Sequence, residues 1–266
     1  MTWIACDLTN GLGNRLFQIA AVLKAAEQTG RKPVLFLPRM SRYEHGNWKY
    51  FRRCIPDIEI QETDMEWEEG KGEEIPECIQ GEKGYVLKGW FQDEKYFPSL
   101  ENPLLPRYPG PFPVKAADKV AVFFRLGDYC ILPHHQQRLQ KYYGTAITRY
   151  PKGTELILFS DSIEKLVPIQ KELKEWGYPN VVCGTLKMDS TVRMAVLCRK
   201  GLIGGNSTFS WWMGYLAWKA HGCPADYKAT YPEVWVEDKK MNLFGFPFTQ
   251  KIENLDGPKL NSFSYG

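Results

Sequence analysis

Four short apolar runs in the second half of the chain each give way to a helix-like pattern, and this alternation most constrains the fold. Val120–Arg125 precedes a helix expected near 135–149, and Leu156–Ser160 precedes one near 162–176. Asn180–Cys183 precedes one near 190–200, and Leu202–Gly205 one from about Ser207 to Ala220. Strands that alternate with helices imply a parallel sheet covered on both faces, because each helix returns the chain to the start of the next strand. Pro168 interrupts the second helical pattern, so a kink or two pieces is expected there. The first half opens in the same way. A strand over 3–8 leads through a glycine loop into a helix of about 14–29, along which Leu16, Ala20 and Leu23 step at helical spacing. Gly30 is placed to close that helix, and Pro33–Leu37 reads as a buried parallel strand.

Tyr85–Phe91 reads as a further strand, whereas the acidic stretch Glu62–Glu74 reads as a solvated loop or helix face. The proline-dense segment of about 98–114 suits an extended connector. It separates an expected N-terminal domain, 1–105, from a C-terminal one, 115–266. The aromatic- and Gly-rich tail from about 232 shows no assignable pattern.

Composition narrows the function. The net charge of +3 gives no footprint for nucleic acid. Seven Cys without a CxxC pair point to free thiols in a reducing compartment. The four His have no zinc-site spacing, so no metal is expected. No charged leader with an apolar core opens the chain, and no apolar run approaches the roughly 20 residues that a membrane helix needs. The expectation is a cytoplasmic protein without a membrane span.

Ligands of parallel sheets bind beyond the carboxyl ends of the strands. Four segments fall there: Gly11–Asn14, Arg125–Tyr129, Ser160–Asp161 and Gly205–Ser210. In the loop Asn10–Gln18, Gly11 and Gly13 carry no Cβ, and either is free to take φ > 0. The helix behind them offers N–H groups to an anion. The loop lacks the third glycine of the dinucleotide fingerprint and the Gly-Lys-Ser/Thr ending of a P-loop. Arg125 ends an apolar strand with paired donors suited to phosphate oxygens, each such bond contributing roughly 1.5–3 kcal/mol. Gly127 permits a tight turn, and Asp128 accepts either from backbone N–H groups or from Arg125; an Arg–Asp pair that merely pins the loop is the alternative. Asn206 or Ser207 serves as an N-cap, or Ser207 and Thr208 present hydroxyls and amides to a phosphate. Asp161 either meets ribose hydroxyls or a base N–H, or caps the next helix. Trp211 and Trp212 read as core, and His134–His135 as surface without a role.

Taken together, these segments resemble the alpha-1,2-fucosyltransferases, inverting enzymes that use GDP-L-fucose. Where that family shows GGLGNQLFQYA, GYFQ-x-x-KYF, HxRRGDY and ANSTFSWWGAYL, this chain has NGLGNRLFQIA (10–20), GWFQDEKYF (89–97), FFRLGDY (123–129) and GNSTFSWWMGYL (205–216), in the same order. The resemblance implies an α/β fold of GT-B type, two Rossmann-like domains facing a cleft, with the nucleotide sugar held by the second domain and the acceptor entering from the first. It implies fucose transfer to a glycan hydroxyl, galactose O2, with inversion, and no metal or other cofactor beyond the GDP-L-fucose donor. Carried across, Arg125 meets the diphosphate, and Asn14 reaches the sugar-phosphate region. Asp161, Asn206, Ser207 and Thr208 line the nucleotide pocket together with Gly11 and Gly13. Asp128 joins Arg125 and Asn14 as a catalytic candidate, with Asp93 and Glu94 as further candidates for the base. Three positions depart from the family pattern: Phe123 replaces His, Leu126 replaces the second Arg, and Arg15 replaces Gln and is a candidate for the lost positive charge. These departures keep two alternatives open: another donor such as GDP-rhamnose or GDP-mannose, or a non-catalytic protein that binds a nucleotide or glycan.

Overall fold

The computed structural model describes residues 2–36, 48–62, 66–111, 117–127, 139–182, 187–236, 239–240, 242–252 and 255–263. The chain forms two compact units, Met1–Pro109 and Gly110–Gly266. Each is an α/β unit built on a parallel sheet.

In the first unit, β1 (Trp3–Cys6), β2 (Lys32–Phe36), β3 (Glu59–Gln61), β4 (Trp67–Glu69) and β5 (Gly84–Leu87) pair in the order β3-β2-β1-β5-β4. All of these pairings are parallel. The central strand β1 is buried along its whole length, as a strand covered on both faces requires. Helix α1 (Leu12–Thr29) crosses from β1 to β2, and α2 (Trp48–Cys54) lies between β2 and β3. Between Leu12 and Leu23, Asn14 alone escapes burial. The Gly30 N–H bonds to the Ala26 carbonyl and ends α1 in the left-handed region, as expected of a closing glycine. The acidic stretch departs from its expectation, because it contains the edge strand β4, with Glu68 and Glu69 exposed and Trp67 against Phe36. Charged side chains on a short edge strand discourage pairing with other chains, so acidity there is compatible with a strand.

In the second unit, β6 (Val120–Phe124), β7 (Leu156–Ser160), β8 (Asn180–Val182), β9 (Gly201–Ile203), β10 (Ala229–Tyr231) and β13 (Thr249–Lys251) form a six-stranded sheet, ordered β13-β10-β9-β6-β7-β8. It too is parallel throughout. Helices α3 (Leu139–Thr148), α4 (Leu166–Glu175), α5 (Met188–Leu197) and α6 (Thr208–Ala220) connect its strands. A separate antiparallel ribbon joins β11 (Val234–Val236) to β12 (Lys239–Lys240). Pro168 does not split its helix. Helix α4 starts later than the pattern implied, at Leu166, which puts the proline in the first turn, where its missing N–H has no intrahelical partner to lose.

The unpatterned tail is structural. It supplies edge strand β13, packs Phe246 and Phe248 edge to face against Trp211 with both centroids at 5.2 Å, and returns Leu260 and Phe263 to the core beside α3. Trp211 and Trp212 are fully buried, as their helix context implied.

Two tyrosines of α3 reach the carboxyl edge of this sheet. The Tyr143 hydroxyl donates to the Phe123 carbonyl at 2.6 Å, and the Tyr142 hydroxyl lies 2.6 Å from the Gly204 carbonyl and 2.7 Å from that of Thr230. These hydroxyls add side-chain donors to buried strand carbonyls, that of Thr230 also accepting from the Gly204 N–H at 2.8 Å. Burial, reinforced by the neighbouring Tyr143, pushes the Tyr142 hydroxyl well above its ordinary range, so it remains a donor at neutral pH. Among the described residues, no helix is long and apolar enough to cross a membrane.

The Tyr142 bonds carry the first test. Tyr142→Phe keeps the ring and removes the donor, and is expected to cost about 1–3 kcal/mol of folding stability, read as a lower urea midpoint at unchanged slope. An unchanged midpoint would show that the hydroxyl does not secure the sheet edge.

Candidate functional site

The order of each sheet creates a switch point where consecutive crossovers diverge to opposite sides, and ligands of such sheets bind beside it. In the second unit that point lies between β6 and β9; in the first, between β1 and β5.

Strands β6 and β7 run in register, Phe123 beside Phe159 and Phe124 beside Ser160. The next residues are Arg125 and Asp161, and the ladder ends on their ion pair, Nη1 to Oδ2 at 2.7 Å. Two residues earlier on each strand, Phe123 and Phe159 stack with centroids 4.4 Å apart and planes 8° from parallel. Asp161 Oδ1 accepts from the Leu126 and Gly127 amides at 2.8 and 3.0 Å. A Cβ at Gly127 would sit 2.4 Å from Asp161 Oδ2, so a side chain there would displace the carboxylate from its present position. The Arg125 side chain is 36% exposed and that of Asp161 24%, which keeps the pair within reach of solvent and ligand. Ion pairs this open contribute about 0–1 kcal/mol; what this one supplies is orientation of the guanidinium.

Asp161 thus both pairs with Arg125 and accepts from the amides of the turn; Asp128, Tyr129, His134 and His135 lie outside the described residues. Nor does Asp161 cap a helix, since α4 begins at Leu166 with Lys165 in the capping position. Leu126 is 1% exposed within the core around α3 and β6, which accounts for an apolar residue there in place of Arg. Lys165 Nζ donates to the Leu126 carbonyl at 3.2 Å, adding a second cation to this turn. No pattern in the chain marks Lys165, because only the tertiary fold brings the start of α4 back to the end of β6.

On the β9 side, α6 starts beside the same strand end, with the Phe209 and Phe123 rings edge to face at 6.0 Å. Ser207 occupies the N-cap in an extended conformation and its side chain makes no capping bond. Ser207 and Thr208 are partly exposed. Asn206 is 2% exposed and its Nδ2 donates 2.8 Å to the Trp235 carbonyl, a bracing role that joins this turn to β11. The second-unit switch point thus carries an oriented guanidinium on one flank and a helix N-terminus on the other, two features that favour an anion.

In the first unit the glycine loop takes an unexpected shape. Gly11 has φ −71° as the N-cap of α1, and Gly13 lies within the helix. The left-handed residue is Asn10, at φ 62°. Asn tolerates that region best after Gly, and here the Asn10 carbonyl accepts from Arg15 Nε at 2.9 Å. Arg15 is fully buried beneath the loop.

The loop meets the segment after β5. Gln92 Nε2 donates to Asn14 Oδ1 at 3.1 Å, and Gln18 Nε2 to the Gly89 carbonyl at 3.0 Å. Strand β5 stops at Leu87, short of Phe91, because the backbone turns left-handed at Gly89 (φ 152°) and again at Phe91 (φ 53°). A positive φ at a bulky aromatic costs about 1–3 kcal/mol and persists only when its surroundings enforce it. Here the Glu73 carboxylate accepts from the Phe91 N–H, and the Phe91 ring, 1% exposed, packs edge to face on Tyr96 at 5.1 Å. Asp93 accepts from the Lys95 amide at 2.9 Å and caps the 3-10 turn Glu94–Tyr96.

Among the described residues, no group of three or more His, Cys, Asp or Glu is placed to hold a metal ion. Cys6, Cys54, Cys78, Cys198 and Cys223 are free thiols, and burial, helped by Asp7, pushes that of Cys6 well above its usual range. No protein-family model matches this chain, and no curated protein matches it.

The Asp161 clamp is testable without any ligand. Asp161→Ala is expected to speed amide hydrogen exchange at Leu126 and Gly127 by about tenfold or more, while Asp161→Asn, which keeps an acceptor, retains most of the protection. Equal exchange in the wild type and the Ala variant would remove Asp161 from its assigned role.

Proposed function

We propose that this chain is a glycosyltransferase of GT-B type that moves L-fucose from GDP-L-fucose to a glycan hydroxyl, galactose O2, with inversion. The observation that carries the reading is the pairing of the four motif segments. FFRLGDY and GNSTFSWW flank one switch point, through Arg125 and the start of α6, and the NGLGNRLFQ and GWFQ segments join at the other through Asn14 and Gln92.

In this mechanism the departing GDP gathers negative charge as the glycosidic bond breaks. Donors fixed in advance toward that charge are usually the largest catalytic contribution. Arg125 supplies two planar donors, and Asp161 positions it while engaging the Leu126 and Gly127 amides. The first turn of α6, headed by Ser207 and Thr208, supplies amides and hydroxyls to the phosphates. Asn14, its amide oriented by Gln92, serves the sugar-phosphate region, and Asp128 stands beside Arg125 in sequence as the acid–base candidate. This machinery meets the diphosphate with side chains and amides, and transfer is expected in the presence of EDTA.

One observation favours a second reading, a different GDP-sugar. The place of the family's His holds Phe123, stacked on Phe159, and Leu126 is turned into the core, so this strand end is less basic and more apolar. A deoxysugar such as rhamnose suits that change equally well.

The test is mass-spectrometric detection of GDP and product from GDP-L-fucose and a panel of small galactosides, with GDP-rhamnose and GDP-mannose in parallel. One added deoxyhexose from GDP-L-fucose supports the first reading; turnover only with another donor supports the second. Arg125→Ala is expected to lose about 100-fold or more in kcat with the fold intact. Near-normal turnover in that variant would defeat the leaving-group role.

A further inference from the structure

Among the described residues, the exposed large apolar side chains are Ile60, Trp90, Val167 and Val181, and Trp90, at 47% exposure, is the aromatic one. Its position is fixed from both sides. Before it, the Gly89 carbonyl accepts from Gln18; after it, the Phe91 N–H is held by Glu73 and the Phe91 ring is buried against Tyr96. Left-handed backbone at Gly89 and Phe91 brackets the residue. Turning Phe91 inward at that conformational cost leaves the indole on the surface, and backbone strain of this kind clusters at functional sites. Two residues on, Gln92 is bonded to Asn14, the part-exposed residue of the buried first turns of α1, and Asp93 follows. All of this lies at the β1/β5 switch point, where ligands of such sheets bind.

We propose that Trp90 is the stacking platform of a glycan subsite in the first unit and that its occupant is a terminal β-galactoside. A pyranose has an apolar C–H face and a rim of hydroxyls. In galactose the axial O4 leaves the C–H groups of C3, C4 and C5 on one face as a continuous patch that matches a flat indole. The side-chain amides of Asn14 and Gln92 provide the polar groups that such a site needs at its edge. As the acceptor subsite of a transferase, this assignment rests on the function proposed above; as a glycan-binding site, it does not.

The experiment uses the full chain, lactose as the probe, and the variants Trp90→Ala and Trp90→Phe, with thermal melts to verify folding. Lactose binding is followed by saturation-transfer NMR and weak-affinity chromatography. Trp90→Ala is expected to weaken lactose binding by about tenfold or more and to raise the acceptor KM by a similar factor. Acceptor-independent hydrolysis of GDP-L-fucose should stay within about twofold, and Trp90→Phe should keep most of the binding. If the wild type binds lactose through Trp90 but transfers no sugar, the transferase reading falls and the platform stands. If the wild type transfers and Trp90→Ala leaves the acceptor KM unchanged, the platform falls and the transferase reading stands. Absence of lactose binding and transfer in the wild type overturns the platform as well.

Discussion

Parallel pairing in register delivers every strand of a sheet to one edge, and the chemistry proposed for this chain depends on that delivery. Because β6 and β7 stay in step through Phe124 and Ser160, the next position on each strand places a guanidinium beside a carboxylate. A slip of either strand by one residue would turn that strand's side chain to the opposite face and separate the guanidinium from the carboxylate. The carboxylate then gathers two backbone amides as well as Arg125, so one side chain shapes the turn and aims the cation.

Much of this frame was legible in the sequence. Strand β6 and the helices after β7 and β9 come from apolar runs followed by helical spacing, a pattern driven by burial on both sheet faces. The misreadings have local causes. Strand β4 is short, acidic and at an edge, so neither burial nor alternation marks it. Pro168 suggested a break because the start of α4 was set too early. Gly11 and Gly13 were free to take positive φ, whereas the loop's left-handed residue is Asn10, its carbonyl held by the buried Arg15. The clamp formed by Asp161 was hidden because it joins residues more than thirty positions apart, and the sequence placed Asp128 much nearer to Arg125.

The departures from the fucosyltransferase pattern acquire physical meaning in this fold. Phe123 is half of an aromatic stack beneath the Arg125–Asp161 pair, and Leu126 is a core residue. A basic side chain at either position would enter an apolar environment at a substantial desolvation cost. The positive charge near this strand end comes instead from Arg125 and from Lys165, which approaches from the next helix.

The proposed function requires the β6/β9 switch point of the second unit to receive a nucleoside diphosphate. The most direct measurement is hydrogen–deuterium exchange of the full chain with and without GDP. Slowed exchange is expected at residues 125–127 and 207–210, with β3 and β4 of the first unit unchanged. Protection elsewhere with none at these two segments, or no protection at saturating GDP, would contradict it.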